Sequence, residues 1–118
     1  MKNQQKLKIL WKVVHKINKK FCNNKLVIED LKLLTKREIN KFGIICKKPW
    51  GVYLVEEKII GIHEEISLVS SIEVCCHELT HAYQIQIENY HGKGHNQAGN
   101  RIYHQFIKYT DNFIKISV

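Results

Sequence analysis

Leu7, Leu10, Trp11, Val14, Ile17 and Phe21 recur at helical spacing near the start of the chain, with Lys2, Lys6, Lys8, Lys12, Lys16, Lys19 and Lys20 filling most of the positions between them. Apolar residues that return every three or four positions fall on one stripe of a helix, so the pattern predicts an amphipathic first helix over residues 3–21, closed by Asn23-Asn24. In isolation the stripe also suits a membrane-surface helix, but packing on the domain's own sheet is the reading adopted. Residues 26–42 carry two patterns at once. "LVI" begins like a strand, whereas Leu31, Leu34 and the charges from Lys36 to Lys41 suit a helix, and periodicity alone does not choose between them. From Gly43 the signal becomes β: "GIIC", a break at Pro49-Trp50-Gly51, "VYLV", a turn at Glu56-Glu57-Lys58, then "IIGIH". Segments this short and this closely spaced predict two or three antiparallel strands.

Ser70 followed three residues later by Glu73 has the form of a capping box, which places a helix over residues 71–88. Ile72, Val74, Cys75, Cys76, Leu79, Ala82, Tyr83 and Ile85 are too many apolar residues for one stripe, so most of that helix should be buried. Two glycines in Asn89-Tyr90-His91-Gly92-Lys93-Gly94 break it, and a last helix over residues 94–110 turns Ala98, Ile102, Phe106 and Tyr109 inward. The order of elements predicts one α+β domain covering residues 1–118, with an N-terminal helix, a small antiparallel sheet of about three strands, a central helix and a C-terminal helix.

At 118 residues the chain can bury a core without disulfide staples. It contains no apolar run long enough to span a membrane, and its start lacks the apolar stretch of a signal peptide, so a cytoplasmic or nucleoid- or nucleus-associated protein that is not secreted is expected. Cys22, Cys46, Cys75 and Cys76 show no C-x-x-C spacing and read as free core thiols, although Cys75 and Cys76 stand close enough to the histidines to be weighed as ligands. The net charge of +8 is concentrated at the front: residues 1–25 hold eight lysines and no acid, while residues 59–118 are slightly acidic. That front is an electrostatic footprint for DNA or another polyanion, set against the plainer reading of lysines on a solvated helix face.

The chemistry lies in "CHELTHAYQ". On a helix His77 and His81, four apart, stand one above the other and can offer both imidazoles to one metal ion. Glu78, about 100° around the axis, lies beside the ion without being a ligand. Two neutral imidazoles holding Zn²⁺, with a carboxylate that takes a proton from the attacking water, is the arrangement of a zinc hydrolase. A catalytic zinc needs a third protein ligand. Gln84 and Ile87 stand where the metzincin extension requires glycine and histidine, which excludes that pattern. The remaining donors downstream are Glu88, His91, His95, His104 and Asp111. Glu88, two turns along the same helix, lies about 10 Å away along the axis, too far to share the ion. His91, in the glycine turn where the chain can reverse, is favoured, with His95 its main competitor. His104, His15 and His63 read as structural, with His63 close enough to the helix entry to support the site indirectly.

With His91 in third place, "HELTHAYQ…YHGKGH" resembles the SprT-like zinc metalloprotease family, in which HExxH is followed by a His-Gly motif. "INKKFCNNKL" and the segment Ile60 to Ser67 extend the likeness, which spans about residues 7–110. The resemblance implies a zincin-like minimal domain in which His77, His81 and His91 hold Zn²⁺ and Glu78 is general base. It also implies a protein substrate, in particular protein bound or crosslinked to DNA. No zinc ribbon follows the domain here, so any DNA contact would fall to the lysine-rich first helix. Tyr90, Tyr103 and His95 are candidates to stabilise the oxyanion. The competing reading is a non-catalytic zinc-stabilised module that binds nucleic acid or protein, for which a fourth ligand from His95 would speak. A deformylase-like amidohydrolase would need Cys46 as its third ligand, and no surrounding motif supports it.

Overall fold

The apolar stripe of the first helix is buried along its length: Leu10, Val13, Val14 and Ile17 are all at most 2% exposed. That helix, α1 (Asn3–Cys22), ends at Asn23, whose left-handed φ of 50° lets its N–H return to the Asn18 carbonyl. The computed structural model describes residues 2–42, 50–90 and 95–117. Among these, β1 (Asp30–Leu34), α2 (Lys36–Asn40), β2 (Gly51–Leu54), β3 (Ile59–His63), α3 (Leu68–Gln86) and α4 (Gln97–Ser117) follow α1. The result is an α+β fold, and no helix among the described residues is long and apolar enough to cross a membrane. "GIIC" lies outside the described residues.

The sheet is mixed and not antiparallel as expected: its order is β1-β3-β2, with β1 parallel and β2 antiparallel to β3. The difference arises in residues 26–42, where both sequence patterns are realised in turn. Residues three apart share a helix face but point to opposite faces of a strand. Accordingly Leu31 enters the main core, whereas Leu34 packs with Ile39 and Val52 on the other face of the sheet. Thr35 then starts α2 through a reciprocal capping box with Glu38.

α3 begins three residues earlier than Ser70 predicts. Ser67 is the N-cap, its hydroxyl accepting from the Ser70 N–H at 3.1 Å, and Ser70 is already helical. Ile66 and Leu68 pack on the core beside the earlier cap, so starting at Ser67 buries apolar surface as well as satisfying the donor. α4 runs past residue 110 because Phe113 and Ile114 continue its inner stripe. Phe106, 1% exposed, joins that helix to Phe21 of α1 and Tyr83 of α3 through tilted and edge-on ring contacts. One lysine of α1 departs from the solvated face expected for it: Lys6 is buried, and its ammonium donates to the carbonyls of Glu64 (2.9 Å) and Ile66 (2.7 Å), tying α1 to the entry of α3.

β2 lies directly against α3, and Gly51 is what permits this. A Cβ at Gly51 would collide with Val74 Cγ1, stand 3.2 Å from the Gly61 carbonyl oxygen and 3.5 Å from Glu78 Cγ. Gly51→Ala should therefore destabilise the protein by about 1–3 kcal/mol, the usual cost of forcing extra volume into a packed contact. Chemical unfolding measures it, and an unchanged midpoint would show that β2 and α3 are not in tight register.

Candidate metal centre

The 19 residues of α3, about five turns, are divided between core and cleft by the helix period. Cys75, Cys76, Leu79 and Ala82 are fully buried, which fixes the rotation of the helix and leaves His77 and His81 half-buried on the face toward the cleft. Their Nε2 atoms are 3.3 Å apart and their rings meet edge to face at 4.9 Å. His95, two residues before the start of α4, completes a triangle, with ring centroids 4.5 Å from His77 and 5.0 Å from His81. One ligand atom from each of the three lies within 4.8 Å of the others, an arrangement that can hold a metal ion. His91, favoured from the sequence, lies outside the described residues. The histidine brought to His77 and His81 among the described residues is its competitor, His95.

Glu78 follows His77 and, though only 7% exposed, lines the same cleft as the histidines. Burial pushes its carboxyl up to about 8 from an ordinary 4.5. The same desolvation, with the neighbouring His81 and His95, brings His77 down to about 4, and burial followed by His95 lowers His81. Two of the imidazoles are thus held neutral and lone-pair-bearing, the form a metal requires. An open cleft of about 640 Å³ exposes them, walled by Trp50, Gly51, Val52 and Tyr53 on one side and by Glu73, Val74 and Tyr103 on the other. A second cavity of about 350 Å³ shares the histidines and Tyr103 and continues past Thr80, Gln84 and His104.

Other candidates fall elsewhere. Cys75 and Cys76 are fully buried in the core, their thiols pushed up by burial, and Cys76 Sγ meets Thr110 Oγ1 at 3.7 Å. Cys46 lies outside the described residues. His63 ends β3 with its Nδ1 accepting from the Glu65 N–H and its ring edge-on to Trp50, so it touches the cleft wall and not the histidine cluster. Of the oxyanion candidates, Tyr103 lines the cleft with its ring 6.0 Å from that of His77, and His95 joins the cluster. Tyr90 instead donates its backbone N–H to the Gln84 carbonyl. Trp50 and Gly51, whose sequence pattern signals only a break between strands, line the cleft. No family model, curated protein or solved structure matches the chain.

The two displaced titrations act in opposite directions over overlapping pH ranges in the metal-free protein. Glu78, raised from 4.5 to about 8, leaves stability intact below its unfolded value and removes it as pH rises toward 8. His77, lowered from 6.5 to about 4, removes stability as pH falls through that interval. Metal-free Glu78→Gln should therefore gain on metal-free wild type as pH rises from about 5 to about 8, by an amount on the order of a few kcal/mol. Thermal unfolding across that range measures it; parallel curves would mean that Glu78 is not desolvated.

Proposed function

We propose that the protein is a zinc-dependent endopeptidase of zincin-like, SprT-like type, and that the observation carrying this reading is Glu78. A buried carboxyl directly beside a cluster of three imidazoles, at the edge of an open cleft, has no use in a structural metal site. The 3.3 Å between the Nε2 atoms of His77 and His81 supports zinc, since tetrahedral ligands at about 2.0–2.1 Å from the ion stand about 3.3 Å apart. His77, His81 and His95 would hold the ion. Zinc in this position supplies a Lewis acid for the peptide carbonyl and acidifies the attacking water.

The chain's own groups do the rest. Glu78 accepts a proton from the water as its oxygen bonds to the carbonyl carbon, then delivers that proton to the amine nitrogen as the C–N bond breaks. With a cation held by the histidines, the Glu78 carboxyl would fall below its metal-free value and would be ionised and able to act as base. Tyr103, which lines the cleft, would donate to the developing oxyanion. A polypeptide substrate is favoured by β2, which among the described residues pairs on one side only and whose residues line the cleft. An extended chain laid along it gains backbone hydrogen bonds in the manner of an added strand. The exposed Lys2, Lys8, Lys12, Lys19 and Lys20 of the α1 region, with no acid in that helix, support contact with DNA and hence a DNA-bound protein as substrate.

The alternative, a non-catalytic zinc-stabilised module, would need a fourth protein ligand to close the site. Zinc content and cleavage of casein or DNA-bound histone, with and without single-stranded DNA, separate the two. Glu78→Gln should keep stoichiometric zinc and lose about 10²–10⁴-fold in cleavage rate. His95→Ala should lose zinc, and His91→Ala should keep both zinc and activity. Undiminished cleavage by Glu78→Gln would remove the mechanism. Zinc retained by His95→Ala and lost by His91→Ala would return the third position to His91.

A further inference from the structure

Gln84 is 4% exposed on α3, three residues beyond His81, and it is neither a ligand nor a proton carrier. Its side-chain Nε2 donates to Asn96 Oδ1 at 2.9 Å. The same oxygen accepts the Gly99 backbone N–H at 2.7 Å, so Asn96 caps the first turn of α4. The Gln84 backbone carbonyl accepts from the Tyr90 N–H at 2.7 Å. One residue therefore fastens the chain twice: soon after it leaves α3, and again where it enters α4.

The orientation of the carboxamide follows from its partner. Asn96 Oδ1 already accepts from a backbone N–H, so it is an oxygen, and only the amide nitrogen of Gln84 can face it as donor. Gly99 leaves the room: a Cβ there would stand 2.8 Å from Gln84 Oε1 and 3.0 Å from Asn96 Oδ1. His95 immediately precedes Asn96, outside both helices and exposed to solvent. Unlike His77 and His81, it has no helix of its own to fix it. Among the described residues, the nearest rigid anchor along its chain is the cap that Gln84 holds.

We infer that Gln84 is a positioning residue that sets His95 in register with His77 and His81 by pinning the Asn96 cap of α4. The inference rests on the reading that these histidines bind zinc. It assigns to a buried carboxamide the role that hydrogen-bond partners behind a metal site commonly play: fixing where a ligand stands without touching the ion.

The test is zinc affinity by chelator competition, the visible absorption of the cobalt-substituted protein, and metal-free thermal stability. These are measured for wild type, Gln84→Met, Asn96→Ala, Asn96→Asp and His95→Ala. Gln84→Met keeps the bulk and loses the donor, and should weaken zinc binding by about 10–100-fold and move the cobalt spectrum toward that of His95→Ala. Asn96→Ala should do the same from the other side of the bond, which keeps the test decisive if Gln84→Met does not fold. Asn96→Asp retains the acceptor and should bind as wild type does. Wild-type affinity and spectrum in Gln84→Met and Asn96→Ala, alongside loss in His95→Ala, would overturn the inference alone. A wild type that binds no zinc would overturn the metal reading and this inference with it.

Discussion

The rotation of α3 about its own axis is the constraint on which the site depends. α1, α4, β2 and β3 all pack against this helix, and the fully buried Cys75, Cys76, Leu79 and Ala82 leave it one angular setting. A turn of about 100° would expose that apolar surface at about 25 cal/mol per Å² and bury the imidazoles in its place. With the phase fixed, His77 and His81 have to face the cleft and Glu78 has to sit between cleft and core. The core of this protein thus decides the geometry of its chemistry before any metal is present.

The same packing creates the electrostatic demand that a cation meets. For Glu78, His77 and His81 the dominant influence is burial, ahead of any charge–charge interaction. Desolvation drives the carboxyl toward its neutral acid and the imidazoles toward their neutral bases, leaving a polar cluster with little net charge in a partly dry setting. A divalent ion reverses the penalty on the carboxylate and uses the lone pairs of the imidazoles. Gly51 contributes by letting β2, the outer strand of the sheet among the described residues, close on α3 beside Glu78.

Much of this was legible in the residues, and the exceptions have physical reasons. The first helix and the HExxH helix are long and strongly patterned, so their period shows in a single sequence. Parallel β1 does not, because a five-residue strand whose leucines face opposite sides of the sheet looks like part of a helical stripe until its partner, 29 residues further on, is known. Thr35 and Glu38 spelled out the capping box of α2, but in a segment whose type was ambiguous. At α3 the Ser70–Glu73 pattern points to a cap three residues too late, because the apolar contacts of Ile66 and Leu68, invisible to a local pattern, lie with Ser67. His95, the sequence's competitor to His91, stands with His77 and His81 among the described residues, and not inside the last helix as its pattern suggests. Asn96 as N-cap moves it to the loop before α4, and the Gln84 bond that holds that cap joins residues twelve apart across a turn.

X-ray absorption at the zinc edge of the loaded wild-type protein tests the central claim, that α3 and the entry to α4 together build a three-histidine centre. The account predicts three imidazole nitrogens at about 2.0–2.1 Å, with one further light atom from solvent and no sulfur. A first shell containing a thiolate, or only two imidazoles, would contradict it.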